Sequence, residues 1–198
     1  MRKFGNTGME IKRVGFGGIP IQRISQEDTN KVIDELEKCG VNFIDTARGY
    51  TISEEYLGNA LKGRREKFYI ATKSMSRDYE SMKKDIEISL KNLQTDYIDL
   101  YQMHNVKPAE YDTIFGEDRA YRALLEAKEA GKIKHIGITS HGLETVEKAV
   151  ESGKFETIQF PYNIVENQAD EVFKRAYEKG VGTIVMKPLA GGAIDDGT

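Results

Sequence analysis

The chain holds a single cysteine, Cys39, among its 198 residues. This excludes an internal disulfide and any cysteine cluster for zinc or iron–sulfur within these residues, and it points to a reducing, cytoplasmic setting. Long hydrophobic runs are missing too: apolar stretches reach four or five residues, against about 20 for a bilayer span. Charge of one sign is not in excess. Lysine and arginine number 29 and aspartate and glutamate 32, for a net charge of −3, so nothing favours nucleic acid or an anionic membrane as a partner. Met1-Arg2-Lys3-Phe4-Gly5 has no apolar run after its charges, so no signal peptide is expected. No low-complexity linker or charge block divides the chain, and residues 1–198 read as one domain.

What is present is alternation. Gly5-Asn6-Thr7-Gly8 lies between two short runs and predicts an N-terminal hairpin. Strands are then expected to start at residues 41, 68, 97, 134, 157 and 183, after a first one ending near Gly15-Phe16-Gly17-Gly18. Helical period fills the gaps, over residues 28–38, 53–64, 76–94, 118–130, 143–151 and 169–178. The pattern is clearest in Tyr79, Met82, Ile86, Leu90 and Leu93, spaced 3, 4, 4 and 3. Gly40, Gly131, Gly153 and Gly180 follow four of these helices, where a left-handed cap favours glycine. Repeated βα units imply parallel strands with helical crossovers, in an open doubly wound sheet or a closed (β/α)8 barrel. Polar residues recur at strand C-termini, where barrel active sites form, so the barrel is favoured. Seven strands are counted by Met186, whereas barrels typically need about 250 residues. The expectation is therefore an α/β chain, a TIM barrel with an N-terminal hairpin, incomplete after its seventh strand.

Three strand ends and one following loop carry reactive side chains. Asp45 closes the second strand in Phe43-Ile44-Asp45, with Tyr50 five residues on; Lys73 closes the third; His104 closes the fourth. Singly, each has an ordinary explanation: a capped loop, a packed rim tyrosine, a snorkelling lysine, a satisfied core histidine. Together they form one acid. A phenol is a weak acid at neutral pH, and a nearby ammonium is expected to lower its pKa so that Tyr50 can give up its proton. Asp45 would hold the Lys73 ammonium, and neutral His104 would hydrogen-bond a carbonyl oxygen and polarise it. Such a set protonates a developing alkoxide, so its missing partner is a hydride donor.

Gly15-Phe16-Gly17-Gly18, Asn42-Phe43-Ile44-Asp45-Thr46-Ala47 with Tyr50, Ala71-Thr72-Lys73-Ser74, and Leu93-Gln94-Thr95-Asp96-Tyr97-Ile98-Asp99-Leu100-Tyr101 leading to His104 resemble the aldo-keto reductases. The resemblance runs from the hairpin to Leu189. It implies a (β/α)8 barrel, an oxidoreductase acting on a small-molecule aldehyde or ketone, and Asp45, Tyr50, Lys73 and His104 as a catalytic tetrad with Tyr50 as general acid and base. It also implies NADP, with NAD as the alternative, lying across the C-terminal mouth. No Gly-x-Gly-x-x-Gly fingerprint opens a helix here, since Ile19-Pro20 follows Gly18. The resemblance places the cofactor instead at Gly17, at Thr139 and Ser140 (where the family commonly has Ser-Asn), at Gln159 and Tyr162, and at Met186, Lys187, Pro188, Leu189 and Gly191. The family's segment that separates NADP from NAD lies beyond Thr198.

Arg48-Gly49-Tyr50-Thr51, His104-Asn105-Val106, Thr139-Ser140-His141 and the run from Met186 to Gly192 resemble prokaryotic members that often carry a C-terminal ferredoxin-like extension. An iron–sulfur cluster would belong only to such an extension beyond this chain. No metal site is expected from His104, His135 and His141, whose spacing fits no zinc motif. Two alternatives to the enzyme stand: a nucleotide-sensing or scaffolding protein on the same barrel, and a fragment inactive for want of its last βα units.

Overall fold

Short strands and amphipathic stretches alternate along the chain, and in the computed structural model, which describes residues 1–192, they become a repeating βα chain. A hairpin of β1 (Arg2–Lys3) and β2 (Glu10–Ile11) pairs antiparallel, Arg2 opposite Ile11. Seven parallel strands follow: β3 (Phe16–Gly17), β4 (Phe43–Asp45), β5 (Tyr69–Ser74), β6 (Ile98–Met103), β7 (Ile133–Thr139), β8 (Thr157–Pro161) and β9 (Gly182–Met186). Between them run α1 (Gln26–Lys38), α2 (Ser53–Ala60), α3 (Tyr79–Leu93), α4 (Ala120–Glu129), α5 (Leu143–Ser152) and α6 (Asp170–Glu178).

Sheet order equals chain order from β3 to β9, so each crossover steps one strand in the same direction and the sheet curls with its helices outside. The sheet holds the seven parallel strands counted from the sequence and, as expected, stops short of the eight of a closed barrel. Among the described residues β3 and β9 each pair on one side only, and the architecture is a curled half-barrel. No helix among these residues is long and apolar enough to cross a membrane.

Alternate residues of a strand face opposite sides of a sheet, and the core divides accordingly. Phe43, Ala71 and Leu100 face the concave side and pack with Phe4 and Met9 of the hairpin. Ile44, Ile70, Tyr101, Ile136, Ile138, Ile158 and Phe160 belong to the larger core beneath the helices. The hairpin plugs the bottom of the half-barrel. Phe4 meets Phe43 edge-on at 5.7 Å between ring centroids. The Asn6 N–H donates to the Gly180 carbonyl at 2.7 Å, in the turn that leads into the last strand. Only glycine fits at position 5: φ is +54°, and a Cβ would lie 2.4 Å from the Gly182 nitrogen.

Glycine at 153 provides the anticipated left-handed cap of α5, with φ +65°, whereas α3 reaches the same conformation at Gln94 with φ +52°. Three features depart from the periodicity. The helix expected over 53–64 stops at Ala60, whose carbonyl accepts from Arg64 Nε at 2.8 Å. Short 3-10 turns occupy Ile19–Arg23 and Pro108–Ile114, both opened by proline at the first or second position.

Because the plug holds strands from both ends of the sheet, Phe4→Ala should cost about 3–5 kcal/mol of unfolding free energy. Urea denaturation measures it, and a loss under about 1 kcal/mol would mean that the hairpin does not stabilise the concave core.

Candidate active site

The parity that buries Phe43, Ala71 and Leu100 places Asp45, Lys73, Gln102 and His104 on the same concave side, one or two steps nearer the strand C-termini. Asp45 is the last residue of β4, Lys73 the penultimate residue of β5, and His104 the first after β6. The loop beyond β4 continues to ladder onto β5. Thr46 N–H donates to the Ala71 carbonyl at 2.8 Å and Arg48 N–H to the Lys73 carbonyl at 2.9 Å. A turn then carries Tyr50 back over the strand ends, its N–H donating to the Ala47 carbonyl at 3.0 Å.

The Lys73 side chain is 3% exposed. Its Nζ donates to Asp45 Oδ2 at 2.5 Å and to the Thr46 carbonyl at 2.7 Å, and it stands 5.0 Å from the centroid of the Tyr50 ring. The Tyr50 and His104 rings meet edge-on, 6.0 Å apart at 86°. All four residues singled out in the sequence therefore converge on one cluster. The second carboxylate oxygen of Asp45 accepts from Gln102 Nε2 at 3.1 Å.

The electrostatics correct one expectation. Tyr50 does not have a depressed pKa: burial pushes it well above the ordinary phenol value, and the Asp45 carboxylate adds to the rise. The physical reason is burial, which penalises the charged phenolate more than the Lys73 ammonium, itself paired with Asp45, can favour it. His104 moves the other way, to about 4, through burial first and then the charges of Lys73 and Arg77. It is a neutral imidazole at physiological pH, and its Nδ1 is buried without a partner.

The expected cofactor residues fall on the mouth of the half-barrel with different degrees of commitment. Gln159 is 6% exposed, and its Oε1 has no partner. A buried orphan acceptor suits an amide N–H₂ donor such as a nicotinamide carboxamide. Thr139 and Ser140 are buried with their hydroxyls engaged locally. Thr139 Oγ1 accepts from Asn105 N–H at 2.7 Å, and Ser140 Oγ donates to the Val106 carbonyl at 2.6 Å. Tyr162 packs on Phe173 at 5.2 Å and donates its hydroxyl to Asp170. Gly17 is exposed at the end of β3, opposite Asp45, with open space beside its Cα. Met186 ends β9, and Lys187, Pro188, Leu189 and Gly191 follow on the surface, with φ +56° at Lys187 and +71° at Gly191. Successive backbone N–H groups in such turns can face an anion.

Sequence reasoning missed Gln102, fully buried, and Asn105, whose φ of +50° departs from the ordinary region for a non-glycine residue. Gln102 was available from parity, since Leu100, Gln102 and His104 are spaced by two. Asn105 stands in the matched segment His104-Asn105-Val106, which does not mark its backbone conformation.

The His104 shift fixes a pH window. Its folded value, about 4, lies below its ordinary 6.5, so between those values the unfolded chain binds more protons. Stability contributed by the neutral ring is complete above the ordinary value, declines as pH falls towards the folded value, and is flat below it. Imidazole NMR titration, with His104→Gln to assign the signal, should place its midpoint near 4. A midpoint at the ordinary value would remove the claim that the site holds this ring neutral.

The family model described as Aldo/keto reductase family matches residues 13–198. L-galactose dehydrogenase of Arabidopsis thaliana is 31% identical over 216 aligned residues, covering 99% of this chain and 67% of that protein. Aldo-keto reductase YhdN of Bacillus subtilis is 30% identical, covering 96% of this chain and 62% of its own length. The solved holo form of aldo-keto reductase AKR11C1 from Bacillus halodurans superposes with a TM-score of 0.86 at 29% identity, over all of this chain and 69% of that one. The chain thus spans about two-thirds of the length of these relatives. By its fold, its strand-end cluster and these likenesses, the chain belongs to the aldo/keto reductase family.

Proposed function

We propose that this chain carries the catalytic half of an NAD(P)H-dependent carbonyl reductase, within a domain of (β/α)8 barrel type, and that Tyr50 is its general acid. The observation that supports this most is the meeting of a phenol, a buried ammonium–carboxylate pair and a neutral imidazole at adjacent strand ends. When bound, the reduced nicotinamide supplies a hydride.

The residues divide the remaining work. His104, neutral, donates a hydrogen bond to the carbonyl oxygen and draws charge onto it. Tyr50 keeps its proton in the resting state, because its pKa lies high. The proton leaves only when the oxygen becomes an alkoxide, a much stronger base than a phenolate, so the transfer is confined to the transition state. Lys73 then stands 5.0 Å from the ring, where its charge favours the phenolate left behind. Asp45 and Gln102 hold that ammonium and its carboxylate in place. In the reverse direction the same phenolate accepts the proton of an alcohol. The name of the Arabidopsis relative, a dehydrogenase of L-galactose, is in keeping with such reversibility.

Gln159 Oε1 is assigned to the nicotinamide carboxamide, and the turn from Lys187 to Gly191 to the pyrophosphate. Both lie at the same strand ends as the tetrad, which lets a dinucleotide present its ring beside Tyr50.

Tyr50→Phe should lower turnover of small aldehydes by about a hundredfold or more, the ordinary range for removing a positioned acid. Nucleotide affinity, read from NADPH and NADH fluorescence, should stay within about threefold. Undiminished turnover in that variant contradicts the assignment.

A further inference from the structure

Glu54 is the most buried carboxylate among the described residues, at 1% exposure, and it lies outside the tetrad. A carboxylate is costly to bury unless its lone pairs are met. Here they are. Oε1 accepts from Thr72 Oγ1 and Ser89 Oγ, both at 2.7 Å. Oε2 accepts from Arg48 Nη1 at 2.9 Å and Asn92 Nδ2 at 3.3 Å.

The partners reveal what is being joined. Thr72 immediately precedes Lys73 on β5 and, by strand alternation, faces the opposite side of the sheet. Arg48 lies two residues before Tyr50, and its own N–H donates to the Lys73 carbonyl at 2.9 Å. Its guanidinium also sits 3.6 Å from Asp85, which accepts from the hydroxyls of Ser74 and Ser76. Glu54 thus lies behind the sheet, under the helices, and ties the loop bearing the phenol to the strand bearing the ammonium.

We propose that Glu54 is a positioning residue for Tyr50, acting through Arg48 and Thr72 to set the ammonium–ring separation at the front of the sheet. This rests on the reading of Tyr50 as the acid. A residue needed only for stability would not require a charge at this place, since apolar packing commonly replaces buried ion pairs at no loss.

The test uses Glu54→Gln, which keeps the volume, removes the charge and turns one acceptor into a donor facing donors. The expected result is a fall in kcat of about tenfold to a hundredfold, as for an acid displaced by about an ångström. KM for the aldehyde and the nucleotide Kd should stay within about threefold. The ¹³Cζ resonance of Tyr50, identified by its absence in Tyr50→Phe, should shift or broaden, while that of Tyr177, exposed on α6, stays in place. If Glu54→Gln does not fold, Arg48→Met, at the partly exposed end of the same pair, should produce the same kcat loss and the same resonance change. A kcat within about twofold of wild type with an unmoved Tyr50 resonance, even at a lower Tm, overturns the proposal. If the unaltered chain turns over no carbonyl compound, the functional reading fails by itself. The Tyr50 resonance then decides for Glu54: movement in either variant supports the positioning role, and its absence overturns it.

Discussion

The site depends on one interaction, the burial of the Lys73 ammonium against Asp45 and the Thr46 carbonyl. An ammonium at 3% exposure is tolerable only with close partners, and both partners lie on the neighbouring strand and its loop. That requirement fastens β4 to β5 at their C-terminal ends. It also stations a positive charge under the Tyr50 ring and helps keep His104 neutral. Asp45 has two duties: it accepts the lysine on one oxygen and Gln102 on the other, so three successive strands share a single carboxylate.

The two faces of the sheet serve this arrangement differently. On the concave side, the hairpin's Phe4 and Met9 close the floor beneath Phe43, Ala71 and Leu100, which leaves the polar residues above them facing the mouth. On the convex side, most positions are apolar and pack under the helices. Glu54 with Thr72, Ser89, Asn92 and Arg48 is one polar cluster there, and Asp99 with Arg65 is another. Both oxygens of the Glu54 carboxylate have partners, while Arg48 Nε makes no hydrogen bond and faces Asp85 at 3.6 Å. Breaking such a buried network is costly, so it is suited to hold a loop in a single arrangement. The Oε1 atoms of Gln102 and Gln159 and the Nδ1 of His104 are buried without partners on the concave side, where ligands would lie.

Much of this was legible in the sequence because it follows from two periods. Period two within β4, β5 and β6 put Asp45, Lys73 and the residues before His104 on one side, and helical period supplied the crossovers between them. The strand starts anticipated at 68, 97, 134, 157 and 183 lie within a residue of those observed at Tyr69, Ile98, Ile133, Thr157 and Gly182. What was hidden depended on burial and on contacts that the fold alone makes. The high pKa of Tyr50 follows from burial and from Asp45, whereas the sequence brought only the lysine to mind. Thr139 and Ser140, expected at the cofactor, also anchor the neighbouring loop, Thr139 Oγ1 accepting from Asn105 N–H and Ser140 Oγ donating to the Val106 carbonyl. Glu54 lies in the first turn of α2, an ordinary place for an acid, and nothing local announces that it sits beneath Thr72.

The central claim is that a paired, buried ammonium makes hydride transfer and proton donation possible at one rim. Mass spectrometry of the alcohol formed from a small aldehyde and 4-deuterated NADPH, in wild type and Lys73→Met, tests it most directly. The account predicts deuterium on the former carbonyl carbon in the wild type. In the variant, the rate of labelling should fall by about a hundredfold or more, with nucleotide affinity within about threefold. Labelling at an undiminished rate without the ammonium would contradict it.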